Sequence, residues 1–152
     1  MSEAIIEAKK AYALKETPIG AVIVYEDRIV GRGFNKVEIT SNSTNHAEMV
    51  AIKDATENLD RWRLFDCEMY VTMEPCFMCT GAIVNSRIKK VYIGARHNKN
   101  EIVDRHNEYQ REFFKDHKVE TVYSVKEEEC SKILSDFFRE RREEKKLKRK
   151  NP

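Results

Sequence analysis

Two short motifs in this sequence combine the residue types that bind a transition metal. The first is His46-Ala47-Glu48, and the second is Pro75-Cys76-Phe77-Met78-Cys79. Two cysteines three residues apart on a helix present both thiolates to one side, and zinc prefers thiolates together with an imidazole. Ligation by His46, Cys76 and Cys79 would leave a fourth position open, which is typical of catalytic zinc sites that activate a water molecule.

Glu48 makes the predicted metal site suitable for an enzyme. Two residues after a ligand on a helix, its carboxylate lies outside the coordination sphere but close enough to move a proton from the water to a leaving amine. The alternative is a structural zinc site that Cys67 or Cys130 closes with a fourth ligand. We instead expect Cys67 and Cys130 to be small, packed side chains.

An alternation of helices and strands must position these motifs. We expect helices to begin near His46 and Cys76, so that two helix amino termini, which favour anionic ligands, converge on the metal. This order of elements predicts an α/β sandwich with a mixed sheet. The other predicted elements are a helix ending before Thr17-Pro18, a hairpin of strands 21–25 and 28–31 around a Glu26-Asp27 turn, a polar loop over 35–45, strands at 67–73, 91–93 and 119–125, and a closing helix with Ile133, Leu134, Phe137 and Phe138 on one face.

Composition favours one folded domain. Of the 152 residues, 41% are hydrophobic and 36% are charged, which argues against intrinsic disorder. No apolar stretch approaches the roughly 20 residues of a membrane-spanning helix, and the amino terminus is charged. We therefore expect a soluble, intracellular protein with no membrane partner.

Positive charge is concentrated at the carboxyl end. Residues 139–150 contain eight Lys or Arg and three Glu, a net charge of +5, whereas the whole chain carries +2. Such a segment is either a solvated helix end or an arm that contacts RNA phosphates, and composition leaves both open. We divide the chain into a domain over residues 1–138 and a basic helix end or tail over residues 139–152.

Further segments along the chain match the pattern of one family in order. Together with the metal motifs, they make the chain resemble the bacterial tRNA adenosine deaminases, which convert the wobble adenosine of an anticodon to inosine. The metal motifs alone define only the wider zinc deaminase superfamily. The additional matching segments are Pro18-Ile19-Gly20-Ala21-Val22, Gly33-Phe34-Asn35, Tyr70-Val71-Thr72, Gly81-Ala82, Ser86-Arg87-Ile88, Gly94-Ala95-Arg96 and Ser135-Asp136-Phe137-Phe138-Arg139.

The resemblance implies a three-layer α/β/α, cytidine-deaminase-like fold with a five-stranded mixed sheet. It implies one Zn²⁺ per subunit on His46, Cys76 and Cys79, with Glu48 as the proton shuttle of a hydrolytic deamination that uses a zinc-bound hydroxide. The implied partners are a tRNA anticodon stem-loop and a second copy of the chain in a homodimer, and the implied location is the cytoplasm.

The resemblance also implies a set of substrate contacts. Asn35 would hydrogen-bond the target base, while Phe137, Phe138 and the basic closing helix would hold the anticodon loop. The residues alone also allow a second interpretation, in which Asn35 is a turn residue and Phe137 and Phe138 are core residues. The remaining implied contacts are Glu16, Ile19 and the backbone of Ala47 around the pocket, and Arg96 and His97 at the nucleotide.

One segment departs from the family pattern. After Gly94-Ala95-Arg96 the family has an aspartate and a loop rich in Gly and Ser, whereas this chain has His97 and no glycine through His106. We expect the loop over residues 97–106 to run differently, because it lacks access to positive φ angles. The change keeps one alternative to a tRNA enzyme open, a deaminase of a free base or nucleoside. A further alternative, from a different class, is a non-catalytic RNA-binding zinc protein.

Overall fold

A five-stranded mixed sheet with helices on both faces forms the centre of the molecule. The computed structural model describes residues 1–96 and 101–150 of the chain. The strand order is β2-β1-β3-β4-β5; β1 is antiparallel to its two neighbours, and β3, β4 and β5 are parallel. The elements are α1 (Ser2–Ala13), β1 (Gly20–Tyr25), β2 (Arg28–Phe34), α2 (Val37–Thr40), α3 (Ala47–Asn58), β3 (Glu68–Met73), α4 (Phe77–Asn85), β4 (Lys90–Ala95), α5 (Glu101–Asp116), β5 (Glu120–Val122) and α6 (Glu127–Lys150).

Two helical layers enclose the sheet and confirm the predicted three-layer α/β/α fold. Helices α3, α4 and α5 share the larger apolar core with alternate residues of the central strands. Helices α1 and α6 cover the opposite face, where a smaller apolar cluster includes Ile5 and Cys130. Because successive strand residues point to opposite faces, the central strands need apolar residues at nearly every position, as the 21–25 run predicted.

The first two strands form the predicted hairpin. Glu26 and Asp27 make its two-residue turn with φ angles of 48° and 58°. Positive φ at both turn residues is the geometry that matches the twist of paired antiparallel strands. Strand β2 continues to Phe34, beyond the predicted end at residue 31, and so brings Asn35 to the same edge of the sheet as the end of β3.

Two glycines allow α3 to lie directly on β2. A Cβ at Gly33 would overlap the main chain of Ala47 and Ala51, and a Cβ at Gly31 would overlap Ala51 and Ala55. These three alanines recur every four residues along α3 and are at most 1% exposed. The close packing fixes the first turn of α3, which contains part of the first metal motif.

The structure corrects three sequence-based boundaries. Residues 101–106, expected to be a loop, belong to α5, because this segment has neither glycine nor proline and consists of residues that a helix accommodates. The predicted loop over 35–45 contains the short helix α2. The last strand is only Glu120–Val122, shorter than the predicted 119–125, because Ser124 and Lys126 adopt positive φ angles that end the extended chain.

Helix α6 is continuous from Glu127 to Lys150. The boundary that we placed between residues 138 and 139 therefore lies within a helix, and the role of the basic end stays a prediction. Within residues 1–96 and 101–150, no helix combines the length and the apolar character required to cross a membrane.

Candidate metal and active site

The amino termini of α3 and α4 bring the three predicted metal ligands together. His46 is the residue that precedes the first turn of α3, Cys76 holds the same position before α4, and Cys79 follows within the first turn of α4. The ligand atoms of the three side chains lie within 4.8 Å of one another. His46 Nδ1 is 3.6 Å from Cys76 Sγ and 3.6 Å from Cys79 Sγ.

These separations fit a zinc ion. With Zn–S bonds of about 2.3 Å and Zn–N bonds of about 2.0–2.1 Å, tetrahedral coordination separates the sulfur and nitrogen atoms by about 3.5–3.6 Å. An imidazole and two thiols are also the donor set that zinc prefers. In the part of the chain that the structure describes, this group has three members, and Cys67 and Cys130 are not among them. A three-donor group leaves a tetrahedral position for a water or substrate atom.

Cys67 and Cys130 are packed side chains, as predicted. Both are buried, and burial raises the pKa of each thiol. Cys67 belongs to the larger core, and Cys130 of α6 packs directly over Gly94 of β4. These contacts explain why small apolar side chains are suitable at both positions.

The two motif cysteines differ in their readiness to ionise. A hydrogen bond from Cys79 lowers the pKa of Cys76 to about 5, and the same bond raises the pKa of Cys79. The lowered pKa favours the thiolate form of Cys76 at neutral pH. A thiolate is the form of cysteine that binds metal, so the site offers an anionic ligand before any ion arrives.

Glu48 lies beside the ligands and is only 3% exposed. Burial raises the pKa of Glu48 to about 7, and its carboxyl group is within hydrogen-bonding range of the Cys79 side chain. A carboxyl group with a pKa near the working pH can both accept and return a proton, which is the requirement for a general acid and base. The position and environment of Glu48 therefore suit the proton transfer that its place in the motif predicted.

Glu16, Ile19 and Asn35 meet at the end of β2. Asn35 Nδ2 donates to Glu16 Oε2 at 3.0 Å, and the backbone amide of Asn35 donates to the Ile19 carbonyl at 3.0 Å. The carboxylate of Glu16 also accepts a hydrogen bond from the amide of Ile39 at 2.7 Å. A carboxylate only accepts hydrogen bonds, so Glu16 holds the side-chain amide of Asn35 with its nitrogen toward Glu16. The carbonyl oxygen of the same amide is left for another donor.

This polar group is joined to the metal site through the main chain. The amide of Lys36 donates to the carbonyl of Asn45 at 3.0 Å, so the residue after Asn35 is bonded to the residue before His46. Ala47, the other predicted pocket residue, is buried at the start of α3. The structure therefore brings four of the predicted substrate residues (Glu16, Ile19, Asn35 and Ala47) to the edge of the sheet that carries the metal ligands.

The other predicted contacts fall into different surroundings. Arg96 is exposed after β4, and its guanidinium lies 4.6 Å from the centre of the Tyr123 ring. Phe137 is a core residue that packs edge to face against Tyr12, whereas Phe138 is 45% exposed. His97 lies outside the described residues.

Phe138 lines a groove between α1, α2 and α6. The groove has a volume of about 490 Å³, and its basic residues include Lys15, Arg141 and Lys145. Thr17 also lines the groove. In the sequence it lies between Glu16 and Ile19, so the groove opens beside the pocket that these residues are predicted to form. An exposed aromatic ring among cationic side chains suits contact with a single-stranded nucleic acid.

Sequence reasoning missed one buried polar residue near the ligands. Gln110 of α5 is completely buried, and its Nε2 donates to the carbonyl oxygen of Pro75 and to Thr80 Oγ1. Nothing in its own residue type marks it, because a glutamine in a charged segment ordinarily faces solvent. Only its position four residues before Phe114, on the inner side of an amphipathic helix, could have indicated burial.

The sequence is similar to a family of zinc-binding deaminases. The family model described as the cytidine and deoxycytidylate deaminase zinc-binding region matches residues 1–95. A tRNA-specific adenosine deaminase of Bacillus subtilis is 48% identical over 152 residues, and the match covers 99% of this chain and 94% of that protein. Both matches include the two metal motifs.

Solved structures give the same similarity in three dimensions. One, from studies of A-to-I editing by tRNA:A34 deaminases at the wobble position of transfer RNA, is 35% identical, covers 88% of this chain and 97% of its own, and has a TM-score of 0.78. A guanine deaminase from Bacillus subtilis is 39% identical with a TM-score of 0.61, but that match covers 63% of this chain and 62% of the other. The similarity to the tRNA-acting structure therefore extends over more of the fold.

Proposed function

This chain belongs to the cytidine and deoxycytidylate deaminase family and, within it, to the tRNA-specific adenosine deaminases, and from this membership we propose that it converts the wobble adenosine of a tRNA anticodon to inosine. The reaction is a hydrolytic deamination. The observation that carries the proposal is the group of His46, Cys76 and Cys79, spaced for zinc and accompanied by the buried carboxyl group of Glu48.

His46, Cys76 and Cys79 would hold the zinc ion, and Glu48 would move the protons. When bound, zinc supplies Lewis-acid chemistry that makes a water molecule acidic near neutral pH. Glu48 accepts a proton from the attacking water while the water oxygen bonds to C6 of the adenine. Glu48 then returns this proton to the departing nitrogen, the C6–N bond breaks, and the products are inosine and ammonia.

Asn35 would orient the base within the pocket. Its carbonyl oxygen is free to accept a hydrogen bond from the base, because Glu16 holds the amide nitrogen on the opposite side. Ile19 and the backbone at Ala47 would form the walls of the same pocket. A target base that has left its stack is recognised in this way by enzymes that act on bases, through hydrogen bonds to its edge and packing against its faces.

The groove beside Phe138 would receive nucleotides next to the target. Its aromatic ring offers a stacking surface, and Arg141 and Lys145 offer charges for phosphates. The basic end of α6, over residues 139–150, continues from this groove along the same helix. We assign this end to RNA contact, together with Arg96 and His97 near the nucleotide.

We also propose that the chain works as a homodimer in the cytoplasm, where its tRNA substrate is found. The exposed side of α4 and α5 supports self-association, because Phe77 and Tyr109 are more than half exposed there. Their rings meet edge to face at 5.5 Å, so two exposed aromatic side chains lie next to each other. Exposed apolar surfaces of this kind mark association sites, and analytical ultracentrifugation of the zinc-loaded protein would measure the subunit number.

A panel of substrates tests the proposed function against a deaminase of free bases. Zinc-loaded protein is incubated with an RNA stem-loop that carries the anticodon ACG, and separately with guanine, cytosine, adenosine and cytidine, while ammonia is measured. We expect release only from the stem-loop, in proportion to the inosine formed at the wobble position.

Two other outcomes would contradict the proposal in different ways. Ammonia from a free base or nucleoside, with an unchanged stem-loop, would indicate a small-molecule deaminase on the same fold. Tight binding of the stem-loop with no ammonia from any substrate would indicate a non-catalytic RNA-binding zinc protein.

A further inference from the structure

Gln110 connects α5 to the turn that carries both cysteine ligands. Its Nε2 donates to the carbonyl oxygen of Pro75, immediately before Cys76, and to Thr80 Oγ1 at 2.9 Å, immediately after Cys79. One amide group therefore holds both ends of the segment that contains the two thiols. The side chain is completely buried.

Helix α5 is itself anchored, so Gln110 has a fixed position. Phe114, one helical turn further along the same side, is a fully buried member of the larger core. The ring of Tyr109 contacts the ring of Phe77, the residue that follows Cys76, at 5.5 Å. Two adjacent residues of α5 thus contact the beginning of α4.

The chemistry of Gln110 argues that its amide nitrogen has a specific task. Its Oε1 is buried without a hydrogen-bond partner among the described residues. An unsatisfied buried acceptor costs free energy, and an apolar side chain of the same size would fill the space without that cost. The presence of an amide at this position is explained by the two bonds that its nitrogen donates to the ligand-bearing turn.

We infer that Gln110 is a positioning residue of the metal site. Its two hydrogen bonds hold the Pro75–Thr80 turn in the conformation that keeps Cys76 and Cys79 at zinc-binding distance from His46. Groups that orient metal ligands without touching the ion commonly change metal affinity by 10- to 100-fold when removed. The inference rests on the zinc site of the proposed function. It also gives α5 a role in that site, although this helix begins in the segment that departs from the family pattern.

The test compares Gln110→Met with Phe114→Leu. Methionine matches glutamine in length and cannot donate, whereas leucine at position 114 loosens the same helix without removing a bond to the turn. Zinc affinity is measured by competition with a chromogenic chelator, and the geometry by the visible absorption of cobalt-substituted protein. We expect Gln110→Met to weaken zinc binding about 10-fold or more and to change the cobalt spectrum, and Phe114→Leu to lower the melting temperature while shifting both metal readouts less than Gln110→Met does.

Thr80→Val provides a second variant that does not depend on the folding of Gln110→Met. It removes one of the two acceptors in a side chain of equal shape, so we expect a smaller shift in the same direction. Unchanged affinity and spectrum in Gln110→Met or in Thr80→Val would overturn the inference, and so would an equal shift in Phe114→Leu. Zinc binding by the wild-type protein distinguishes failure of this inference from failure of the proposed function. If His46, Cys76 and Cys79 do not bind zinc in the wild-type protein, the proposed function itself is contradicted.

Discussion

Glu48 occupies a position where one carboxyl group can serve as both base and acid. It lies two residues from a ligand, is buried, and has a pKa raised to about 7 by that burial. An exposed glutamate would remain ionised at neutral pH and return a proton poorly. The environment of the residue, rather than its type, therefore makes the proposed proton transfer possible.

Replacement of this carboxyl group tests its role in proton transfer. Glu48→Gln keeps the size of the side chain and removes its ability to accept a proton, so we expect turnover of the RNA stem-loop to fall by at least about 10²-fold. Zinc content and melting temperature are measured on the same sample and should change little.

The matched control is Glu57→Gln, an exposed glutamate on the same helix that pairs with Lys53. This variant should keep the wild-type rate of turnover, because an exposed ion pair contributes little to the stability of the fold. Wild-type turnover in Glu48→Gln would remove Glu48 from the mechanism, and loss of zinc in that variant would show that it supports the metal instead.

Cysteine ligation can be tested in the same way. Cys76→Ala removes a thiolate from the proposed three-ligand set, so we expect zinc content to fall from one ion per chain to well below half, as measured by atomic emission. Cys67→Ala, at a buried cysteine outside the group, should lower stability and retain the metal. Full zinc content in Cys76→Ala would contradict the assignment of the ligands.

The metal site depends on how closely α3 lies against β2. Gly33→Ala places a methyl group where the carbonyl of Ala47 and the amide of Ala51 now lie, so the first turn of α3 must move. We expect a loss of about 1–3 kcal/mol in the free energy of unfolding, as for other overpacked contacts. Because the moving turn begins at His46, zinc affinity should also fall.

Gly81→Ala is the control for this prediction. Gly81 lies within α4, and a Cβ there meets nothing within 4 Å. Alanine is favoured over glycine in a helix interior, so this variant should be as stable as wild type or more stable by about 0.5–1 kcal/mol. Thermal or urea unfolding of both proteins gives the comparison, and equal stability of Gly33→Ala and wild type would contradict the account of helix packing.

The sequence predicted the elements whose patterns are local. The β1–β2 hairpin has a short turn between apolar runs, and α3 and α4 begin at motifs that fix their starts, so all were found. Helix α5 was missed because 16 residues rich in charge contain few apolar positions, and its key buried residue, Gln110, is polar. The bonds from Gln110 to Pro75 and Thr80 join positions that are 35 and 30 residues apart, and only the folded chain brings them together.

Paired and unpaired charges are distributed unevenly along α6, the longest helix among the described residues. In its first part, Asp136 pairs with Lys132 and Arg139, and Arg141 pairs with Glu144. Beyond Glu144, within the helix as described, no ion pair involves Lys145, Lys146, Lys148 or Arg149. Cations that form no ion pair within the protein can replace the counterions of RNA phosphates.

Neutralisation of these four residues to Gln should weaken binding of the tRNA stem-loop and reduce its dependence on salt. The slope of log K against log salt should become shallower by about 0.7–0.9 for each phosphate that the variant no longer neutralises. Fluorescence anisotropy over a range of salt concentrations measures both quantities. A control with Lys9, Arg28 and Lys53 changed to Gln removes exposed charges elsewhere and should leave the slope closer to wild type. Equal slopes in wild type and the four-residue variant would make the end of α6 a solvated helix end.

The most direct test of hydrolytic deamination by this protein follows the oxygen atom from water into RNA. Zinc-loaded protein is incubated with the ACG stem-loop in ¹⁸O water, and the digested RNA is examined by mass spectrometry, with Glu48→Gln as control. Hydrolytic deamination predicts a gain of about 3 Da at the wobble nucleoside alone, compared with about 1 Da in ordinary water, and no gain with the variant. An unchanged wobble adenosine in the presence of zinc-loaded wild-type protein would contradict the proposed activity, and inosine without the heavy oxygen would contradict hydrolysis by water.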